Sequence, residues 1–137
     1  MIQVFCNKRG SGKTKRLIDL ANSQSDVIKG NIVYIDDDSR PMYSLKREIR
    51  FITTKDFQLK DFESFYGYLC GILSGDYDIE QIYIDGLSNI ISGNLPDAAL
   101  LFSKLDKMSE QFNVNFFINI NEEAYEEIPE FIKKYVA

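Results

Sequence analysis

The chain has 137 residues, of which 45% are hydrophobic and 13% aromatic, and its formal net charge is -5. This composition excludes long disordered segments and favours one globular domain over residues 1–137. Basic residues are scattered and form no cationic stripe, so nucleic acid is not expected as a partner.

Several classes of site and location are also disfavoured. The longest uncharged apolar run, FYGYLCGIL, is well below the roughly 20 residues of a membrane span, so we expect a cytoplasmic protein without membrane association. Histidine is absent, which excludes histidine-dependent triads and the common histidine zinc sites. Cys6 and Cys70 share no metal-like spacing, and we expect buried, reduced thiols.

The first predicted elements are a strand, a glycine-rich loop and a helix. IQVFC (2–6) is short and β-prone, and a helical pattern runs from residue 13 to about 22. NIVYID (31–36) predicts a second buried strand, followed by the acidic turn DDDSRP. IRFI (49–52) predicts a weaker third strand near an edge of the sheet.

The rest of the chain continues this alternation. Residues 61–74 have helical spacing, with Asp61 as the expected N-cap. QIYID (81–85) predicts a fourth strand, and NFFINI (115–120) predicts a fifth. Between them Pro96 and Asp97 are expected to open a helix, and Pro129 a short last one. The core stripe of the helix after Pro96 is predicted to be Ala98, Leu101, Leu105, Met108 and Phe112.

Continuous hydrophobic strands separated mostly by helices predict an α/β fold. We expect a three-layer α/β/α sandwich around a mainly parallel five-stranded sheet. Ligands of such sheets bind at the carboxyl ends of the strands, where the motifs below fall.

The stretch NKRGSGKT (7–14) matches the phosphate-binding pattern G-x-x-x-x-G-K-[ST] except at its first position. In that pattern backbone N–H groups surround the phosphates, the lysine reaches the β and γ phosphates, and the hydroxyl binds magnesium. Asn7 replaces the first glycine, and asparagine tolerates left-handed backbone well, so the turn is expected to survive. The predicted ligands are ATP and Mg²⁺, bound by Asn7, Arg9, Gly10, Ser11, Gly12, Lys13 and Thr14.

Acidic residues are expected beside the phosphates. Asp85 ends the predicted fourth strand and, with Thr14, is predicted to support the magnesium ion. The next residue, Gly86, has no side chain that could activate water. Asp36, Asp37 and Asp38 would stand beside the phosphates if strand 31–36 neighbours the strand ending at Asp85, and a solvated acidic turn is the alternative.

The series NKRGSGKT, YIDDD, IYIDGLSNI and FFINI resembles the motifs of the RecA-like branch of the P-loop NTPases. The whole chain is also similar to small stand-alone bacterial P-loop proteins. The resemblance implies that Lys13 holds the phosphates, Asp38 is the catalytic acid that positions water, Asp85 is the magnesium-associated acid and Asn119 senses the γ phosphate. Asn121 is a less direct match to the sensing residue.

These motifs predict a slow Mg-dependent ATPase, because the side chains at 38 and 119 are shorter than the Glu and Gln usual in that branch. ATP is favoured over GTP, since NINEEAYE stands where a guanine-specific N-K-x-D motif would be. A second interpretation is a nucleotide-dependent switch or subunit with little hydrolysis, completed by a second copy or a protein partner. A third is a kinase for a small acceptor, and a fourth is an interaction scaffold. The kinase would use segment 36–60 as a lid, with Arg40, Lys46, Arg47 and Arg50 as anion contacts.

Overall fold

The computed structural model describes residues 1–7, 12–90, 94–121 and 128–137, with Asn7 described by its backbone alone. Five strands form a single sheet in the order β1-β5-β4-β2-β3, and every pairing is parallel. The predicted α/β class with a parallel five-stranded sheet is confirmed, as is the position of β3 at an edge. The strands are β1 (Ile2–Asn7), β2 (Asn31–Asp36), β3 (Arg50–Thr53), β4 (Ile79–Ile84) and β5 (Asn115–Asn121).

Helices connect the strands. Short 3-10 helices cover Arg40–Ser44 and Leu95–Ala98. None of the helices within the described ranges is long and apolar enough to cross a membrane. The α-helices are α1 (Lys13–Ser25), α2 (Phe62–Gly75), α3 (Leu87–Ile90), α4 (Ala99–Phe112) and α5 (Glu130–Lys133).

The start of α2 follows the prediction. The side chain of Asp61 accepts a hydrogen bond from the backbone N–H of Ser64 over 2.8 Å, and the Ser64 hydroxyl accepts one from the backbone N–H of Asp61 over 3.2 Å. This reciprocal capping box satisfies N–H groups that the helix itself cannot pair. Asp61 therefore fixes where α2 begins.

Buried hydrophobic residues divide into two clusters. One joins Val33 and Ile35 to residues of α2, α4 and α5, and the other joins Ile32 and Tyr34 to residues of α1. Successive residues of a strand point to opposite faces of the sheet. Alternate residues of β2 therefore contribute to different clusters.

Four aromatic side chains, which we call the aromatic row, lie side by side on four neighbouring strands. Tyr34 is in register with Phe51 on one side and Tyr83 on the other, and Tyr83 is in register with Phe117. Their rings stack with centroid separations of 6.3, 6.1 and 4.7 Å along the row. The row consists of Phe51, Tyr34, Tyr83 and Phe117.

The C-terminal segment lies along β1. The backbone N–H of Val4 donates to the carbonyl of Tyr135 over 2.8 Å, and the N–H of Ala137 donates to the carbonyl of Val4 over 3.0 Å. Val4 and Val136 thus form a parallel bridge. Since β1 is the last strand of the sheet on that side, this segment covers part of its outer edge.

Three details differ from the sequence-based predictions. Phe112 is 45% exposed, whereas Phe102 is 1% exposed and occupies the core. Phe112 is the last residue of α4, where the chain turns through left-handed Asn113. Cys6 and Cys70 are reduced, as predicted, but only half buried. Helix α1 continues to Ser25, beyond the predicted end near residue 22.

Candidate functional site

A cavity of about 950 Å³ lies where the carboxyl ends of β2 and β4 meet the amino-terminal turn of α1. This is the edge of the sheet at which ligands of parallel α/β proteins bind. Predicted site residues from distant parts of the chain line it together. They include Lys13, Thr14, Asp36, Asp38, Asp85 and Asn121.

The amino terminus of α1 favours an anion. The helix begins after Gly12, which adopts a left-handed backbone with φ 83°, and it runs for 13 residues. N–H groups of a first helical turn lack partners within the helix and form its positive dipole end. Here that turn contains Lys13, Lys15 and Arg16 and no acidic residue. The positive end is therefore not neutralised from within the helix, which is suitable for a phosphate.

Lys13 and Thr14 differ in burial from the lysine that follows them. Lys13 is buried and Thr14 half buried, while the Lys15 side chain is 81% exposed and pairs with Asp19 over 3.0 Å. Arg9, Gly10, Ser11 and the side chain of Asn7 lie outside the described residues, so their predicted roles stay predictions. The Asn7 backbone ends β1 in register with Asn121 on β5.

Asp85 follows β4 and is 3% exposed. Its backbone N–H donates to the carbonyl of Ile35 over 2.9 Å. Its Oδ1 accepts from Asn119 Nδ2 at 3.3 Å, and its Oδ2 accepts from the Tyr34 hydroxyl at 3.2 Å. Both carboxylate oxygens are thus held by donors from the two strands that flank β4.

Asn119 joins the helix start to this carboxylate. It is 2% exposed, and its Nδ2 also donates to the backbone carbonyl of Lys13 over 3.1 Å. Of the two asparagines at the end of β5, Asn121 lines the cavity and Asn119 does not. The Oδ1 atom of Asn121 is buried and has no hydrogen-bond partner within the described part of the chain.

Asp36 is a buried acid beside Asp85. Strands β2 and β4 are neighbours, which is the arrangement that the sequence analysis required. Asp36 is 6% exposed, and it accepts a hydrogen bond from the backbone N–H of Asp38 over 3.1 Å. Burial above all, together with the hydrogen bond to Asp37 and the charge of Asp85, raises the pKa of Asp36 to about 8. Asp36 is therefore largely protonated at neutral pH.

Asp38 has the opposite electrostatic character. Arg40 donates its backbone N–H to Oδ1 over 2.9 Å and its Nε to Oδ2 over 2.6 Å, and Nη2 also contacts Oδ2. These Arg40 hydrogen bonds hold the pKa of Asp38 below its usual value. Asp38 is therefore ionised at neutral pH and lines the cavity, but its carboxylate is paired with Arg40.

Gly86 approaches the acidic turn closely. Its φ is 69°, and a Cβ atom at this position would lie 3.0 Å from Oδ1 of Asp37. A glutamate here would be strained and would displace Asp37. Position 86 therefore favours glycine, and no acidic side chain directly follows Asp85.

The cations considered for a kinase lid do not gather at the cavity. Of Arg40, Lys46, Arg47 and Arg50, Arg40 alone lines it. Lys46 pairs with Asp26 over 2.5 Å, and Arg50 lines separate cavities beside β3. Segment 36–60 thus brings one cation rather than four to the candidate site.

The oxygen ligands available suit magnesium bound together with a phosphate. In the described ranges, no group of three or more His, Cys, Asp or Glu side chains could hold a metal ion. Thr14 and Asp85 line one cavity and offer a hydroxyl and a carboxylate. Mg²⁺ is commonly held by one or two carboxylates, with waters and phosphate oxygens completing its octahedron.

Comparison with models of known protein families found no match. No significant match was found among curated proteins either.

Two contributors to the site were missed by the sequence analysis. Tyr34 was considered only as part of the buried strand NIVYID, yet its hydroxyl contacts Asp85. A tyrosine within an otherwise aliphatic buried strand is the available signal, since a buried tyrosine usually finds a partner for its hydroxyl. Arg40 was considered only as an anion contact, and its pairing with Asp38 was not anticipated.

Proposed function

We propose that the chain binds Mg-ATP in this cavity and hydrolyses it slowly, as a RecA-like P-loop NTPase. The observation that carries the proposal is the convergence of Lys13, Thr14 and Asp85 on one cavity, with Asn119 bonded to both Lys13 and Asp85. Each of these residues, taken alone, is compatible with a purely structural role. Their meeting beside an uncompensated helix amino terminus favours a phosphate and its metal ion.

The accompanying fold would be a three-layer α/β/α sandwich. Support comes from the two hydrophobic clusters, one containing α1 and the other α2, α4 and α5. Alternate residues of β2 contribute to each cluster, as expected for a parallel sheet covered on both faces.

In the proposed mechanism the first turn of α1 and Lys13 bind the phosphates, and Thr14 with Asp85 holds the magnesium ion. When bound, Mg²⁺ neutralises charge that develops on the phosphate oxygens. Asp38 positions water, because its carboxylate is ionised and lines the cavity. Adenine is the expected base, since the guanine motif is missing. Catalysis would rest on positioning and electrostatics.

A nucleotide-dependent switch is the second candidate, and two observations favour it. Arg40 donates hydrogen bonds to both oxygens of the Asp38 carboxylate, so these oxygens are already paired. Gly86 has no side chain that could orient water in place of Asp38. Hydrolysis would then await a second copy of the chain or a partner protein that completes the site.

The test is calorimetric titration of Mg-ATP and Mg-ADP into the wild type, Lys13→Ala and Lys15→Ala, with free phosphate measured afterwards. Lys13→Ala should weaken binding at least about tenfold because it removes a buried charge-assisted contact. Lys15 also lines the cavity, but its side chain is exposed and already paired with Asp19. Lys15→Ala should therefore change binding less than about threefold. Absence of wild-type binding would refute the proposal.

Phosphate release separates the two candidates. For the ATPase, Asp38→Asn should abolish release while leaving ATP binding intact, and equal turnover would remove Asp38 from the mechanism. Binding without release by the wild type would instead support the switch. For the switch, light scattering should then show a mass that changes with ATP.

A further inference from the structure

The Tyr34 hydroxyl donates a hydrogen bond to the carboxylate of Asp85. Tyr34 is fully buried at 0% exposure, and its hydroxyl lies 3.2 Å from Asp85 Oδ2. Parallel register explains this reach, because Tyr34 is level with Tyr83, two residues before Asp85. A phenol next to a carboxylate acts as the donor. The contact therefore fixes one oxygen of the acid proposed to support magnesium.

The aromatic row holds the Tyr34 ring in place. Phe51 stacks on one side with an interplanar angle of 26°, and Tyr83 stacks on the other at 8°. A buried ring packed between two other rings has little freedom to rotate or shift. The position of the hydroxyl is consequently set by the sheet and not by the cavity.

We propose that Tyr34 is a positioning residue for the magnesium site, acting through Asp85. Its hydroxyl holds Oδ2 while Asn119 holds Oδ1, so the carboxylate plane is fixed before the ion arrives. Groups that orient the ligands of a metal in this way typically contribute 10- to 100-fold to metal affinity or activity. This inference rests on the proposed Mg-nucleotide function and adds a residue that contacts Asp85 and is not among those lining the cavity.

The chain provides a matched control in the neighbouring ring. Tyr83 is also fully buried, belongs to the same row, and donates its hydroxyl to Gln81 Oε1 over 2.7 Å. Tyr34→Phe and Tyr83→Phe each remove one buried hydroxyl and keep the ring. Only the first removes a hydrogen bond to Asp85.

The experiment measures ATP affinity by calorimetry over a series of Mg²⁺ concentrations and again in EDTA. Tyr34→Phe should raise the Mg²⁺ concentration for half-maximal enhancement of binding about tenfold or more. Tyr83→Phe should leave it within about twofold of the wild type. Affinity in EDTA should be alike in all three proteins, because the inferred effect of Tyr34 passes through the ion.

A double-mutant cycle with Asp85→Asn provides the second measurement. If Tyr34 acts only through the carboxylate, Tyr34→Phe should cause no further loss of Mg²⁺ dependence in the Asp85→Asn background. Independent losses would overturn the inference, as would equal shifts for Tyr34→Phe and Tyr83→Phe. If the wild type binds ATP more tightly in the presence of Mg²⁺, either of those outcomes would overturn the inference about Tyr34 and leave the proposed function intact. A wild type without such dependence would refute both proposals.

Discussion

Asn119 donates its side-chain amide to the backbone carbonyl of Lys13 over 3.1 Å, across 106 residues of sequence. The same nitrogen contacts Asp85 Oδ1, so one side chain of β5 ties the start of α1 to the end of β4. Asn119→Ala would leave two buried acceptors short of a donor. We expect the free energy of unfolding to fall by about 1–3 kcal/mol in urea denaturation.

Asn121→Ala is the matched control for that variant. The Asn121 Oδ1 atom lacks a partner in the part of the chain that the structure describes, so its removal should change stability by less than about 0.5 kcal/mol. Equal losses for the two variants would show that the bonds of Asn119 are not what stabilises this corner of the sheet.

Removing the Arg40 side chain should raise the pKa of Asp38. The lowered pKa of Asp38 has the side-chain hydrogen bond from Arg40 as its largest cause. In Arg40→Gln, carboxyl-carbon NMR should show Asp38 titrating at higher pH than in the wild type. Asp61 provides an internal reference, because its lowered pKa comes mainly from the backbone hydrogen bond of Ser64. An unchanged Asp38 titration would mean that the ion pair is not formed in solution.

Gly86→Ala should destabilise the fold. The positive φ of 69° is unfavourable for alanine, and the new methyl group would press on Asp37. We expect a loss of about 1–2 kcal/mol in thermal or urea denaturation. Gly67→Ala is the control, because Gly67 lies within α2 in open space. It should gain about 0.5–1 kcal/mol from helix propensity, and a similar loss at both positions would contradict the reasoning.

The burial of Asp36 predicts a stability that falls as the pH rises. Its folded-state pKa is about 8, against an ordinary value of 3.8, so between these pH values the folded state holds a proton that the unfolded chain has released. The contribution of protonated Asp36 to the free energy of unfolding is fully present below about pH 4. It is lost as the pH rises to about 8, by at most about 1.4 kcal/mol per pH unit.

Urea denaturation at several pH values in EDTA measures this loss, and Asp36→Asn supplies the comparison. The amide cannot ionise, so the difference between wild type and variant should shift in favour of the variant as the pH rises from 5 to 8. A difference that is independent of pH would show that Asp36 is ionised in the folded protein.

The strands could be predicted from the sequence because parallel strands buried on both faces are continuous apolar runs. The strand at 31–36 has the predicted bounds, and the others shift by one or two residues. Helix α3 and the 3-10 helix at Arg40–Ser44 were missed, because four or five residues are too few to show a helical period. Hydrophobic patterns also do not encode strand order, so the position of β5 between β1 and β4 emerged only from the structure.

For the candidate site, the sequence could indicate that Lys13, Thr14 and Asp85 share a cavity, since strand ends of a parallel sheet meet at one edge. It could not indicate the partners of Asp85 and Asp38. The contact of Tyr34 depends on the register between β2 and β4, and the contact of Arg40 depends on how the 3-10 helix turns after the acidic residues. Neither relationship leaves a periodic signal.

The bridge between Val4 and Val136 bears on self-assembly. Unpaired edge strands are templates onto which other copies of a chain can add, and proteins counter this by covering an edge or keeping it very short. Here the segment at Tyr135–Ala137 covers part of β1, and β3 at the opposite end has only four residues. Fibril growth from the β1 end would first require the C-terminal segment to detach, so a variant that loosens this segment should aggregate before it loses its helices.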